Sequence, residues 1–283
     1  MTSRSMVAPR ARLSAALAAA LALFAPLLAH AAPQPERGLG MPRDVSLDGH
    51  RIDWLIHVTG VFTAILFVIM CIWMAWAAIK HGPEHTAEYD HGSSAKQVKF
   101  AATLSAIIFF VVDGNLWVNS TIDVNSAFWN FEKVEKDPRT VKIEINAHQW
   151  SWDARYAGKD GKFNTPDDIV SLNDLKVPVN TPIFFQLAST DVIPSFYLPN
   201  LRIKQDATPG LINKLWFQAK TTGEFDIACA QHCGTNHYKM KAMLTVLSED
   251  DYARWAADAS ASGVRAYDPN DKDAHWGWEW WVK

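Results

Sequence analysis

An excess of charge of either sign is missing from this sequence: 27 lysines and arginines face 30 acidic residues in 283, a formal net charge of −3. That balance leaves no electrostatic footprint for nucleic acid, and this class of function is set aside. Internal repeats and low-complexity tracts are absent as well, which removes solenoids and arrays. Cysteine is scarce. Two of the three cysteines, Cys229 and Cys233, fall in one stretch, CAQHCGTNHYKM (229–240), together with His232, His237 and Met240. Histidine is absent between Gln149 and Gln231, so that stretch has no imidazole neighbour for a long way upstream.

Apolar sequence is abundant near the start. Arg4, Arg10 and Arg12 precede the run LSAALAAALALFAPLLAHAA, which ends in Ala29-His30-Ala31. A basic segment, an apolar core and a small-residue A-x-A site make residues 1–31 a signal peptide, with Pro26 arguing against a third membrane span. Cleavage would move the net charge from −3 to −6, because the removed piece holds three arginines and no acid. Residues 32–52 then form a short exported segment.

Two further apolar runs, DWLIHVTGVFTAILFVIMCIWMAWAAIK (53–80) and VKFAATLSAIIFFVVDGNLWVNS (98–120), are long enough to cross a bilayer. Trp54, Trp73, Trp76 and Trp117 fall near the expected interfaces. The polar loop between the runs makes 53–120 a transmembrane helix hairpin. Lysines of the loop (Lys80, Lys96, Lys99) and arginines before the first span (Arg37, Arg43, Arg51) tie in the positive-inside count. Orientation therefore follows from the signal peptide, which places residues 121–283 on the periplasmic face of a bacterial inner membrane. Asp113 lies within the second span, where a carboxylate is costly unless it faces a partner or the interface. Cys71 reads as inert packing.

From Val141 the pattern turns to short runs rich in β-branched and aromatic residues: VKIEINA, WSWDARY, TPIFFQL, LINKLWFQA, GEFDIAC and MLTVL. GKDG, VPVN, ATPG and TTG read as the turns between them. Such spacing predicts a β-sandwich or small barrel over 121–247. Ser248 with Asp251 three residues on predicts a capped helix, followed by a tryptophan-rich tail, within 248–283. GKDGKFNTPDD (158–168) has the composition of a calcium loop but the wrong ligand spacing, and reads as a solvated turn. The tail HWGWEWWVK points to docking on a partner or a membrane surface, and His275 within it is a distant metal candidate.

Thiolate, imidazole and thioether donors together select copper over hard cations. Cys229, Cys233, His237 and Met240 are therefore candidate copper ligands. A disulfide between the cysteines suits an oxidising compartment, but it gives His237 and Met240 no role.

The pattern C-x3-C-G-x2-H-x2-M resembles the copper loop of subunit II of haem-copper oxidases. The resemblance extends through the signal-plus-hairpin layout, HQWSW (148–152), STDVIPSF (189–196), LRIKQDATPG (201–210) and TGEFDIAC (222–229). It implies a cupredoxin sandwich carrying a dinuclear copper A centre. Cys229 and Cys233 would bridge the coppers, His237 and the Gln231 carbonyl would serve one, and Met240 the other. Trp150 and Trp152 would form the exposed aromatic patch where electrons enter from cytochrome c, with alternation along a strand placing both on one face. Ordinary sandwich core is the alternative reading, for Trp152 above all.

Two positions depart from the family pattern. Pro194 stands where the family has a second copper-binding histidine, leaving His148 and His232 as distant substitutes. The expected centre is therefore incomplete or mononuclear as readily as dinuclear. Gln231 replaces a glutamate that helps hold magnesium in relatives, and an amide is a poorer ligand for that ion. The resemblance implies an electron-transferring subunit of cytochrome c oxidase, partnered by a haem-bearing catalytic subunit I and a cytochrome c donor. The chain lacks the spans and histidines to hold haems itself. Subunit II of a nitric oxide reductase, and a copper-binding or scaffold subunit, are the alternatives.

Overall fold

A computed structural model describes residues 41–266 and Asn270. The signal peptide, residues 32–40 and the tryptophan-rich tail with His275 lie outside the described residues. Asp53–Ser120 form one unit, and the described residues up to Ile52 and from Thr121 onward form the other.

The first unit is built on two long helices. α1 (Gly49–Lys80) opens where the Ser46 hydroxyl accepts the Gly49 N–H at 2.7 Å, and it closes on Lys80, a cation at the negative end of the helix dipole. α2 (Ala95–Lys136) starts at a full capping box: Ser94 accepts the Gln97 N–H, and the Gln97 side chain accepts the Ser94 N–H. Both helices are long and apolar enough to cross a membrane. Their apolar side chains, Phe67, Met74, Ile79, Phe100 and Phe110 among them, are exposed, as lipid-facing residues are. α2 runs well past the apolar segment that announces it, into residues of the second unit, and is interrupted by two π-helical stretches, Ile108–Asp113 and Val124–Phe128, and by a non-helical break at 129–130. Asp113 closes the first of them.

The second unit is a sandwich of two five-stranded sheets. One has the order β3-β2-β1-β5-β8 and the other β4-β10-β9-β6-β7. The strands are β1 (Val141–His148), β2 (Ser151–Tyr156), β3 (Ile169–Leu172), β4 (Asp174–Pro178) and β5 (Pro182–Ser189). β6 (Ser195–Leu198), β7 (Ile203–Asp206), β8 (Asn213–Gln218), β9 (Gly223–Cys229) and β10 (Lys241–Leu247) follow. Inward positions alternate: Ile143, Ile145 and Ala147 from β1 meet Phe196 and Leu198 from β6 and Ile227 from β9 in one core. Trp152 lies against Phe196 edge to face, ring centroids 5.1 Å apart.

Four strands carry no clear signal in the sequence. VPVN, read as a turn, instead supplies Val177 and Pro178 to the end of β4. β4 is an edge strand, where a proline without an N–H is tolerated. α3 (Glu249–Ala266) starts at Ser248, whose hydroxyl accepts the Asp251 N–H, and its Trp255 packs on Tyr156 at 5.3 Å. Residues 42–47 form a strap on the edge strand β8. Leu47 donates to the Gln218 carbonyl, Lys220 donates to Val45, and the Val45 side chain is buried.

Candidate metal centre

β9 and β10 are antiparallel neighbours, with Ala228 opposite Lys241. Their pairing continues one step into the connecting loop, where the Cys229 N–H donates to the Met240 carbonyl at 3.1 Å. Cys229 and Met240 therefore face each other across the neck of the loop. Cys233 and His237 stand on the loop itself, the latter at the start of a short 3-10 turn, His237–Lys239. Folding the loop brings all four donors together. The sulfurs of Cys229 and Cys233 are 3.5 Å apart, and Cys233 Sγ lies 3.7 Å from His237 Nδ1 and 3.7 Å from Met240 Sδ. Among the described residues, Cys229, Cys233 and His237 are the one His/Cys/carboxylate group whose ligand atoms fall within 4.8 Å of each other. Gln231 turns its carbonyl toward the same place, accepting the Cys229 S–H at 3.1 Å.

Both cysteines are free thiols, so the disulfide alternative does not describe this structure. Cys233 and Met240 are buried, Cys229 and His237 half-buried. Burial, with the Cys229 sulfur alongside, pushes the Cys233 thiol up to about 12. A soft metal entering the cluster must therefore displace a proton there.

The loop is held from outside by a residue of HQWSW (148–152) whose role the sequence does not show. Gln149, at the tip of the β1–β2 hairpin, donates its Nε2–H to the Cys233 carbonyl at 2.9 Å and its backbone N–H to Asp191 Oδ2 at 2.9 Å. Beside it, Gly234 has φ +123°, a conformation that L side chains rarely adopt.

The aromatic pair separates. Trp150 is not on a strand but in the two-residue tip between β1 and β2, so strand alternation does not relate it to Trp152. Trp150 is half-buried against the loop, with its indole N–H enclosed and without a partner among the described residues. Trp152 has no exposed surface and belongs to the core, so the expectation that it forms part of an exposed patch is corrected.

Pro194 lies one residue before β6. There the Ser195 carbonyl accepts the Ala230 N–H at 3.0 Å, and Phe196 pairs with Cys229. Position 194 thus abuts the loop neck, and a proline brings no donor atom to it. The substitutes are engaged elsewhere. His148 Nε2 is 3.1 Å from Asp153 and 2.8 Å from the Ser151 hydroxyl. His232 is exposed, its Nδ1 accepting the Gly234 N–H at 3.3 Å. The 158–168 segment is a turn in which Asp160, Asp167 and Asp168 accept backbone N–H groups of their own loop.

The donor set suits a soft, copper-like ion, with two thiols, an imidazole and a thioether converging in a mostly buried place. It does not supply two ions with a strong nitrogen donor each.

Residues 141–247 match the family model described as cytochrome c oxidase subunit II, periplasmic domain. The chain is 28% identical over 227 residues to the alternative cytochrome c oxidase subunit 2 of Bradyrhizobium diazoefficiens, covering 72% of this chain and 78% of the relative. It is 27% identical over 260 residues to cytochrome c oxidase subunit 2 of Cereibacter sphaeroides, covering 80% and 82%. A crystal structure of the periplasmic domain of subunit II of cytochrome oxidase from Bradyrhizobium japonicum superimposes with a TM-score of 0.39 at 29% identity, over 46% of this chain and 98% of that one.

Proposed function

We propose that this chain, whose residues 141–247 match the family model described as cytochrome c oxidase subunit II, periplasmic domain, receives electrons from a cytochrome c at a copper site and delivers them to a haem-bearing catalytic subunit of a membrane oxidase. The observation that carries this reading is the convergence of Cys229, Cys233, His237 and Met240, with sulfur–sulfur and sulfur–nitrogen separations of 3.5–3.7 Å. A copper bound there supplies one-electron exchange between its cuprous and cupric states.

The protein's part is to fix the ligands. Cys229 and Met240 are set by the β9–β10 ladder, Cys233 by the Gln149 clamp, and His237 by its 3-10 turn. Ligands that keep their places in both oxidation states keep reorganisation small, which is what a relay needs. The Gln231 carbonyl adds a weaker oxygen donor. Trp150, half-buried beside Gly234 of the loop, is the aromatic residue through which an electron would enter. The two apolar helices anchor the domain to the bacterial inner membrane, with the sandwich on the periplasmic side. The domains follow as a signal peptide, a short exported segment, a hairpin, the copper-bearing sandwich and a C-terminal helix with its tail.

The test is a stopped-flow experiment on the full-length chain in detergent. Reduced cytochrome c is mixed with copper-loaded and copper-free protein, and its oxidation is followed optically. Electron acceptance by the loaded chain alone, abolished in Cys229→Ser, is expected. Equal rates with and without copper would sink the reading.

A further inference from the structure

We infer that the cluster is built for a single copper ion in one four-coordinate shell of Cys229, Cys233, His237 and Met240, rather than for a bridged pair. This rests on the proposed copper function and deepens it.

Strong donors are too few for two ions. A dinuclear centre with shared thiolates needs a further strong ligand for each ion. Among the described residues, the one imidazole within reach of these thiols is that of His237. His148 is held by Asp153 and Ser151, 3.1 and 2.8 Å away. His232 is exposed and directs Nδ1 to the Gly234 N–H, and its ring centroid is 5.6 Å from that of His237. The Asp191 carboxylate faces the backbone N–H groups of Gln149 and Val192. Pro194, at the neck where a donor would meet the cluster, offers none. If His237 and the Gln231 carbonyl serve one ion, a second would keep the shared sulfurs and a thioether, a weak ligand, as its only remaining partner.

The spacing of the donors is compatible with one such ion. Arms of about 2.3 Å at the tetrahedral angle give ligand–ligand edges of about 3.8 Å between two sulfurs, and somewhat less between sulfur and nitrogen. The three edges from Cys233 Sγ, at 3.5, 3.7 and 3.7 Å, already have the lengths of one such shell. Met240, buried with its sulfur 3.7 Å from that of Cys233, would be the fourth ligand. Two thiolates and a thioether favour the cuprous state.

The experiment uses the full-length chain purified in detergent from copper-replete cells. Copper per chain is measured by mass spectrometry, and the cupric form is examined by electron paramagnetic resonance. One copper per chain, with the hyperfine pattern of one nucleus, is expected. Pro194→His should admit a second copper and spread the electron over two nuclei, while Pro194→Ala stays at one. Two coppers in the unaltered chain would overturn this inference and leave the electron-relay reading standing; no copper at all would overturn both. A Pro194→His chain that melts like its parent yet still holds one copper would overturn the role of position 194 in setting the copper count.

Discussion

A methyl group on Gly234 would sit 2.7 Å from Gln149 Nε2 and 3.2 Å from the Trp150 indole nitrogen, on a backbone whose φ of +123° resists any side chain. Gly234→Ala should therefore cost about 1–3 kcal/mol in backbone strain and break the Gln149 bond to the Cys233 carbonyl. We expect a lower melting temperature and faster loss of copper to a chelator. Gln149→Ala separates the two effects, since it removes the clamp without the strain. It should cost about 1 kcal/mol and speed copper loss with little change in melting. Equal copper loss rates in Gln149→Ala and its parent would show that the clamp does not hold the loop.

At the scale of elements, β1 and β2 share an ion pair sealed from water. Arg155 is 1% exposed and its Nε donates to Glu144 at 2.8 Å, with Asn164 and Asp168 also against the guanidinium. Glu144→Leu should destabilise the domain by about 3–5 kcal/mol, because a buried cation loses its main partner. Replacing both residues, Glu144→Leu with Arg155→Met, should recover much of that loss in calorimetry of the full-length chain. The elements also show how far the sequence could be read. β1, β2, β5, β8, β9 and β10 are runs of six to eight residues in which β-branched and aromatic side chains recur, and all six are visible in the sequence. β3, β4, β6 and β7 are four or five residues each, too short for alternation to stand out against turn formers. The copper ligands were legible because they lie between 229 and 240. The clamp was not, because Gln149 meets Cys233 across 84 positions, and only folding joins them. Trp150 and Trp152 do not share the strand face that alternation predicts, because a hairpin tip at Gln149–Trp150 breaks the strand period between them.

On the scale of the whole molecule, the strap at 42–47 closes the β8 edge of the sandwich. It donates and accepts along that strand, buries Val45 to 2% exposure, and is further tied by Asn200 to the Arg43 carbonyl. An open edge is a template for pairing with another chain. Val45→Asp should release the strap at a cost of roughly 2–4 kcal/mol and leave the detergent-solubilised chain prone to self-association, which light scattering would register. A Val45→Asp chain that stays monodisperse and melts like its parent would show that the strap neither stabilises nor shields the sandwich. The loop that gathers the metal ligands has a different consequence at this scale. Its four donors span so few residues that the unfolded chain already holds them at high effective concentration, and closing the ring around an ion costs little chain entropy. Copper will therefore bind the unfolded polypeptide too, and the rise in melting temperature on loading will be smaller than the affinity of the folded site alone implies. A chain that binds copper in this way can capture the ion before the sandwich closes over it.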